Sequence, residues 1–262
     1  MRFHNLRVVV TGASRPFGRS LAVGFAHLGA EVFVSARTKS AAEVVSGQIE
    51  GVACERIHTF GCDLSKPTEI ARFARQVGEL TDRVDLLVNN GARWLGGVAL
   101  DDASDEQIVE TIGATAGGTV LMVKHFLPLL RNSPRPDIVN MVSVSGLDTD
   151  DGSPAHDAFH AAKSAQAGFA DVLARRLRPS GVRVMSLYPP DFSSSDPSAA
   201  EWDGAHHGTH HGAQQGTGDG ARPGTRHSPR ERLTAQALFD CLAFAVDQPR
   251  DCFIRSFHFE PR

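Results

Sequence analysis

The sequence is poor in the features that mark secreted, membrane-spanning or nucleic-acid-binding proteins. Its 262 residues include only four cysteines, none in a CxxC pair, so reduced thiols in a cytoplasmic protein are expected. The formal charge of −3 gives no basic surplus for nucleic acid or an anionic membrane. No apolar run approaches membrane-spanning length, and the first predicted strand begins too early for a signal peptide. We expect one large α/β domain.

Hydrophobic patterns typical of strands and helices alternate along the whole chain. The predicted strands are 7–11, 31–36, 56–60, 84–89, 137–143, 182–188 and 252–257. The predicted helices are 17–28, 41–49, 67–80, 105–130, 154–177 and 232–246. This alternation predicts a single α/β domain over residues 1–262, with a doubly wound, Rossmann-type parallel sheet of seven strands.

A glycine-containing turn joins the first predicted strand to the first predicted helix. Gly12 permits a tight turn, and Gly18 lets the helix pack close to the sheet. The N–H groups at the start of that helix face an anion such as a dinucleotide pyrophosphate. The residues of this turn predicted to bind the cofactor are Gly12, Ser14, Arg15, Phe17 and Gly18.

The sequence of this turn resembles the TGxxxGxG motif of the short-chain dehydrogenase/reductase family, with Pro16 at the position of the motif's middle glycine. The resemblance implies a nicotinamide cofactor, a small-molecule substrate bearing a carbonyl or alcohol group, and assembly as a homodimer or homotetramer. Segments 119–130 and 161–173, which correspond to the family's subunit interfaces, carry more apolar side chains than one core-facing stripe needs.

Arg37 directly follows the second predicted strand, where dinucleotide-binding folds contact the adenosine ribose. An acidic residue there would bind the 2′-hydroxyl and repel a 2′-phosphate, whereas arginine suits a bidentate phosphate contact. Arg15, in the glycine turn, is placed to contact the same phosphate as Arg37. We therefore expect NADP(H) as the cofactor. A solvated surface arginine is the alternative.

Further landmarks follow the third, fourth and sixth predicted strands. Asp63 resembles the family's contact to the adenine amino group, with a helix-capping carboxylate as the alternative. Asn90 and Gly91 lie in an NNGA segment that resembles the family's NNAG, with a glycine needed only for the turn as the alternative reading of Gly91. Pro189 opens a segment resembling PGxxxT, and Ser194 occupies the position of the threonine that holds the nicotinamide carboxamide.

The catalytic positions depart from the family pattern. The family uses asparagine, serine, tyrosine and lysine, and the corresponding residues here are Thr115, Ser143, Phe159 and Lys163. By resemblance, Ser143 polarises the substrate carbonyl and Lys163 binds the nicotinamide ribose. Phe159 has no hydroxyl to supply a proton. The open alternatives are an oxidoreductase with a substitute donor, a non-redox enzyme such as a dehydratase or cyclase, and a nucleotide-binding pseudoenzyme.

His156 is the predicted substitute donor. It precedes Phe159 by three residues and Lys163 by seven, which places it on their helix face, in a first turn capped by Ser153. A helix N-terminus disfavours imidazolium, so a neutral ring would exchange protons near neutral pH, directly or through water held by Ser143. An exposed first-turn histidine is the alternative.

Residues 193–230 interrupt the α/β pattern with a Gly-, His-, Ser- and Pro-rich segment. The composition predicts a mobile surface insertion that borders the ligand crevice. Its histidines, His206, His207, His210 and His211, have helical i, i+4 spacing, but the glycines between them argue against a helix, so no metal site is predicted.

Overall fold

A computed structural model describes residues 3–48, 51–147, 154–192 and 233–260, of which 48 and 51–53 are described by their backbone alone. Seven parallel strands form one sheet in the order β3-β2-β1-β4-β5-β6-β7. The strands are β1 Arg7–Thr11, β2 Glu31–Ala36, β3 Ile57–Gly61, β4 Leu86–Asn89, β5 Asp137–Met141, β6 Arg183–Tyr188 and β7 Ser256–His258. The predicted seven-stranded, doubly wound sheet is confirmed.

Helices cover both faces of this sheet. They are α1 Pro16–His27, α2 Lys39–Glu43, α3 Pro67–Leu80, α4 Asp105–Ile112, α5 Gly118–Arg131, α6 Asp157–Leu177 and α7 Ala235–Asp247. Successive strand residues face opposite sides: Val8 and Val10 pack in the core with α1 and α7, and Val9 packs in the core with α3, α5 and α6. Burial on both faces explains why the strands are almost continuously hydrophobic.

The strand order reverses direction beside β1, where β2 and β3 lie on one side and β4 to β7 on the other. Loops at the carboxyl ends of strands diverge at such a point and leave a crevice for a ligand. The glycine turn follows β1, so the topology brings it to this crevice.

Some predicted bounds are wrong. The segment predicted as one helix, 105–130, is two helices joined by a π-helical turn, Gly113–Gly117. Three glycines in this turn and its border weaken the helical backbone, since glycine lowers helix stability. The predicted helix 41–49 shortens to α2 followed by a 3₁₀ turn, Ser46–Gln48. The last strand is only three residues long and starts later than predicted.

The start of α6 also differs from the prediction. Ala155 forms an antiparallel bridge with Gly96, which holds the chain extended until His156. His156 is therefore the N-cap, and the helix begins at Asp157, not in a turn capped by Ser153. Ser153 itself lies outside the described residues.

The predicted insertion at 193–230, its four histidines and Ser194 all lie outside the described residues. Within the described ranges, no helix combines the length and hydropathy needed to cross a bilayer. In the same ranges, no group of three or more histidine, cysteine or acidic side chains is arranged to hold a metal ion.

Candidate active site

A cavity of about 1400 Å³ opens at the carboxyl ends of the strands. It brings together most of the site residues predicted from the sequence. Those lining it are Gly12, Ser14, Arg15, Phe17, Gly18, Arg37, Asp63, Asn90, Gly91, Ser143, Phe159, Lys163 and Pro189. Thr115 and His156 do not line it among the described residues.

The glycine turn packs against the loop after β4. Gly12 has a φ of +77°, and a Cβ on it would lie 2.6 Å from the Cα of Gly91. A Cβ on Gly18 would collide with the carbonyl oxygen of Gly12. Arg15 is the N-cap of α1, and Pro16 follows it in the first turn. The N-cap side chain makes no capping hydrogen bond, so the helix start is left for another partner.

Thr11 fastens this turn to the loop after β4. Its hydroxyl accepts hydrogen bonds from the backbone N–H groups of Asn90, at 3.1 Å, and Gly91, at 2.9 Å. The Asn90 side-chain amide donates to the Thr11 carbonyl at 2.9 Å. Asn90 thus braces the two loops that border the cavity. The bracing role of Thr11 was not predicted, although the family's TGxxxGxG motif includes this threonine.

Arg37 and Asp63 lie near each other at one end of the cavity, after β2 and β3. Partial burial acts to raise the pKa of Asp63, but hydrogen bonds from Ser65 and the charges of Lys66 and Arg37 outweigh it and lower the pKa. The hydrogen bonds come from the Ser65 hydroxyl, at 2.7 Å, and its backbone N–H, at 3.0 Å. Asp63 is therefore an anionic acceptor beside an exposed guanidinium.

Asp63 is not the cap of α3. The N-cap of that helix is Lys66, whose side chain makes no capping hydrogen bond. The capping alternative for Asp63 is thus wrong, and its carboxylate is bound to the turn itself.

Ser143 has an unusual backbone conformation, with φ +94° and ψ 154°. Its hydroxyl accepts a hydrogen bond from the Ser145 N–H at 3.3 Å. The conformation is held from β6, because Ser143 and Val142 both donate their N–H groups to the Leu187 carbonyl, at 3.3 and 2.9 Å. A non-glycine residue in this region is strained, and such strain is often retained at functional sites.

Lys163 enters the same end of the cavity from α6. Its Nζ donates to the Met141 carbonyl at 2.6 Å and to Gln166 Oε1 at 3.0 Å, and it lies 5.5 Å from the centre of the Phe159 ring. Burial lowers the pKa of this lysine to about 7. Lys163 is therefore not a solvent-reaching surface lysine.

Phe159 is buried against an aromatic partner that the sequence analysis missed. The Trp94 ring lies 4.9 Å from it, edge to face, and also lines the cavity. Arg93 and Glu110 form an ion pair of 2.7 Å on the same wall. Trp94 lies two residues after the NNGA segment, and this closeness in sequence could have predicted that Trp94 lines the cavity.

Thr115 and His156 have backbone-binding roles. Thr115 is fully buried in the π-helical turn, and its hydroxyl accepts from the Arg93 N–H at 3.1 Å. His156 is buried, and its Nδ1 accepts from the Ala158 N–H at 2.9 Å. The neutral ring then carries its proton on Nε2, which is buried and has no partner among the described residues. The predicted exposed or cavity-facing first-turn position of His156 is wrong.

Comparison with known proteins identifies the family. Residues 7–203 match the family model described as short chain dehydrogenase. The chain therefore belongs to the short-chain dehydrogenase family.

Relatives and solved structures agree with this membership. The chain is 27% identical over 187 residues to a 3-ketodihydrosphingosine reductase of Bacteroides thetaiotaomicron, covering 71% of this chain and 64% of that protein. It is 30% identical over 210 residues to a rhamnolipids biosynthesis 3-oxoacyl-[acyl-carrier-protein] reductase of Pseudomonas aeruginosa, covering 75% and 79%. A metagenomic short-chain oxidoreductase in complex with NADP superimposes with a TM-score of 0.75 at 23% identity, covering 100% and 99%.

Proposed function

We propose that the protein is an NADP(H)-dependent oxidoreductase that interconverts a carbonyl and an alcohol on a small molecule. One observation carries the proposal: a single cavity holds both halves of the required chemistry. Arg37 and Asp63 lie with the glycine turn at its nucleotide end, and Ser143 and Lys163 lie at its other end. The named relatives are reductases, which supports the same reaction class.

The residues at the nucleotide end fit a nicotinamide dinucleotide. The start of α1, with its uncapped N-terminus, suits the pyrophosphate. Arg37, joined by Arg15, suits a 2′-phosphate because guanidinium binds phosphate in a bidentate way. The anionic Asp63 would accept a hydrogen bond from the adenine amino group. The metagenomic structure, which holds NADP, supports the phosphorylated form of the cofactor.

The residues at the other end would hold the nicotinamide and the substrate. Asn90 and Pro189 border the place for the nicotinamide, and Lys163 lines the cavity beside it. When bound, the cofactor supplies or accepts a hydride. Ser143 would donate a hydrogen bond to the substrate oxygen, with Trp94 forming an apolar wall beside it. His156, the substitute proton donor predicted from the sequence, does not line this cavity among the described residues.

A non-redox enzyme or a nucleotide-binding pseudoenzyme is the second candidate function. The observation that favours it is Phe159, which is buried beside Trp94 and has no ionisable group. Loss of a positioned general acid costs a rate factor of about 10²–10⁴.

The test is to titrate the purified protein with NADPH and NADH, and then to follow NADPH absorbance with ketones, aldehydes and 3-oxoacyl thioesters. We expect NADPH to bind more tightly than NADH and to be oxidised by at least one carbonyl compound. Tight binding without oxidation by any of these classes would favour the second function. Absence of NADPH binding would rule out the first.

We also propose that the protein is a homodimer or homotetramer located in the cytoplasm. Four apolar side chains support self-association because they are exposed on α4, α5 and α6; they are Val109, Ile112, Val120 and Val172. Cys54, Cys62, Cys241 and Cys252 are all free thiols, which supports a reducing compartment. Light scattering that reports a monomer at micromolar concentration would contradict the assembly.

A further inference from the structure

The buried amine of Lys163 has two fixed hydrogen-bond acceptors. They are the Met141 carbonyl, from the end of β5, and Gln166 Oε1, one turn further along α6. A lysine ammonium has three N–H donors and no acceptor. Among the described residues these two groups account for two of the donors, so neither takes the third position on Nζ. Lys163 lines the cavity together with Phe159, whose ring centre lies 5.5 Å from Nζ.

The direction of the Gln166 bond is fixed by a chain of buried hydrogen bonds. The Thr119 hydroxyl donates to the Thr115 carbonyl at 2.8 Å, so it must accept from the Gln166 amide nitrogen, also at 2.8 Å. The amide oxygen of Gln166 is then the atom that faces Lys163. Both Gln166 and Thr119 are buried, so water does not compete for these bonds.

This arrangement lets Lys163 exchange one proton without breaking either fixed bond. The ammonium and the neutral amine both have the two N–H groups that Met141 and Gln166 require. They differ only at the third position, which carries a proton in one form and a lone pair in the other. A side chain built in this way is suited to give and take a proton in the cavity.

The surroundings favour exchange near neutral pH. Burial lowers the pKa of Lys163 to about 7, and both acceptors are uncharged. Outside the glycine turn and the ends of β2 and β3, the charged and titratable side chains that line the cavity with Lys163 are Arg93, Glu110, Tyr188, Asp191, His258 and Glu260. His160 lies on α6 itself. Of these, Glu110 pairs with Arg93, and His160 Nδ1 lies 3.1 Å from the Ser145 carbonyl.

We propose that Lys163 is itself the proton donor for carbonyl reduction, and that Gln166 is the residue that positions it. The proposal rests on the proposed function. The bound cofactor would supply a hydride to the carbonyl carbon. The Lys163 Nζ–H bond then breaks and an O–H bond forms at the carbonyl oxygen. Lys163 is left as a neutral amine, and water returns the proton. In alcohol oxidation the same amine accepts the proton.

The first test measures Lys163 without a cofactor or substrate. The chain has only four lysines, Lys39, Lys66, Lys124 and Lys163, so [13Cε]lysine labelling gives four resolvable NMR signals. We expect one signal to titrate near pH 7 and to vanish in Lys163→Arg. The absence of any signal that titrates near pH 7 and depends on Lys163 would overturn the proposal.

The second test links that titration to turnover. Reduction needs the protonated amine, so kcat/KM should fall as pH rises through the Lys163 titration. In Gln166→Glu a carboxylate replaces the neutral acceptor and favours the ammonium. The fall in kcat/KM and the NMR titration should therefore move together to higher pH. A profile that does not follow the NMR titration would overturn the proposal.

Lys163→Arg separates this proposal from the proposed function. Arginine keeps a charge and hydrogen-bond donors but does not deprotonate in this range, so turnover should fall by about 100-fold or more while NADPH still binds. Lys124→Arg, at an exposed position of α5, is the matched control and should keep full activity. Turnover retained in Lys163→Arg overturns the lysine donor alone. NADPH that is never oxidised by wild type overturns the proposed function and the donor with it.

Discussion

The strain at Ser143 can be measured by comparing two variants of the same residue. With φ +94° and ψ 154°, Ser143 lies in a region occupied almost only by glycine. Such a conformation costs on the order of 1–3 kcal/mol in any other residue. Ser143→Gly should release this strain, whereas Ser143→Ala should retain it.

The comparison of the two variants isolates the backbone contribution. Both lose the hydroxyl, and with it the 3.3 Å hydrogen bond from the Ser145 N–H, so that loss cancels between them. Glycine costs roughly 0.5–1 kcal/mol more than alanine through the entropy of the unfolded chain. The glycine variant should thus be more stable than the alanine variant by about 1 kcal/mol, since strain relief exceeds the entropy cost.

Urea unfolding of both variants measures this difference directly, and thermal unfolding should show a Tm higher by about 2 °C for glycine. Both variants should lose carbonyl reduction, because neither can donate to the substrate oxygen. If the alanine variant is as stable as the glycine variant, Ser143 is not strained, and the link between its conformation and its function fails.

Three other predictions test the remaining residues of the site. Arg37→Asp should weaken NADPH binding about 10- to 150-fold, because a charged hydrogen bond is worth about 1.5–3 kcal/mol. The same change should make NADH the preferred cofactor. Arg75→Asp, on the exposed part of α3, is the control. His156→Ala should lower stability by about 1 kcal/mol because it removes the α6 cap, and unchanged turnover per folded molecule would exclude His156 as the acid. Phe159→Tyr should leave NADPH binding intact; if it creates carbonyl reduction where wild type has none, the site is a former oxidoreductase.

The sequence predicts the sheet well because its strands are buried on both faces. Continuous apolar runs such as 7–11 and 31–36 carry a signal that does not depend on distant contacts. The start of α6 depends instead on the bridge between Ala155 and Gly96, which are far apart in the chain. No local pattern distinguishes His156 as a cap from His156 as a first-turn residue, so that prediction failed.

The end of the cavity beside the glycine turn was predictable for a similar reason. Close backbone packing requires glycine at positions 12 and 18. Arg37 and Asp63 lie just after the ends of β2 and β3. The other end depends on side-chain partners brought by separate elements. Gln166 lies three residues after Lys163, a spacing that places both on one helix face, but its partner Thr119 comes from another helix.

Phe159 has no hydroxyl, which changes what Lys163 needs from its surroundings. In the family that this chain resembles, the lysine acts as a cation that lowers the pKa of the catalytic tyrosine. Because position 159 carries no phenol, a permanent positive charge on Lys163 has no tyrosine there whose pKa it could lower. Burial against Phe159, with a carbonyl and an amide as acceptors, instead favours loss of that charge near pH 7. Phe159, which has no proton to give, therefore lies beside a lysine whose environment suits it to act as the acid.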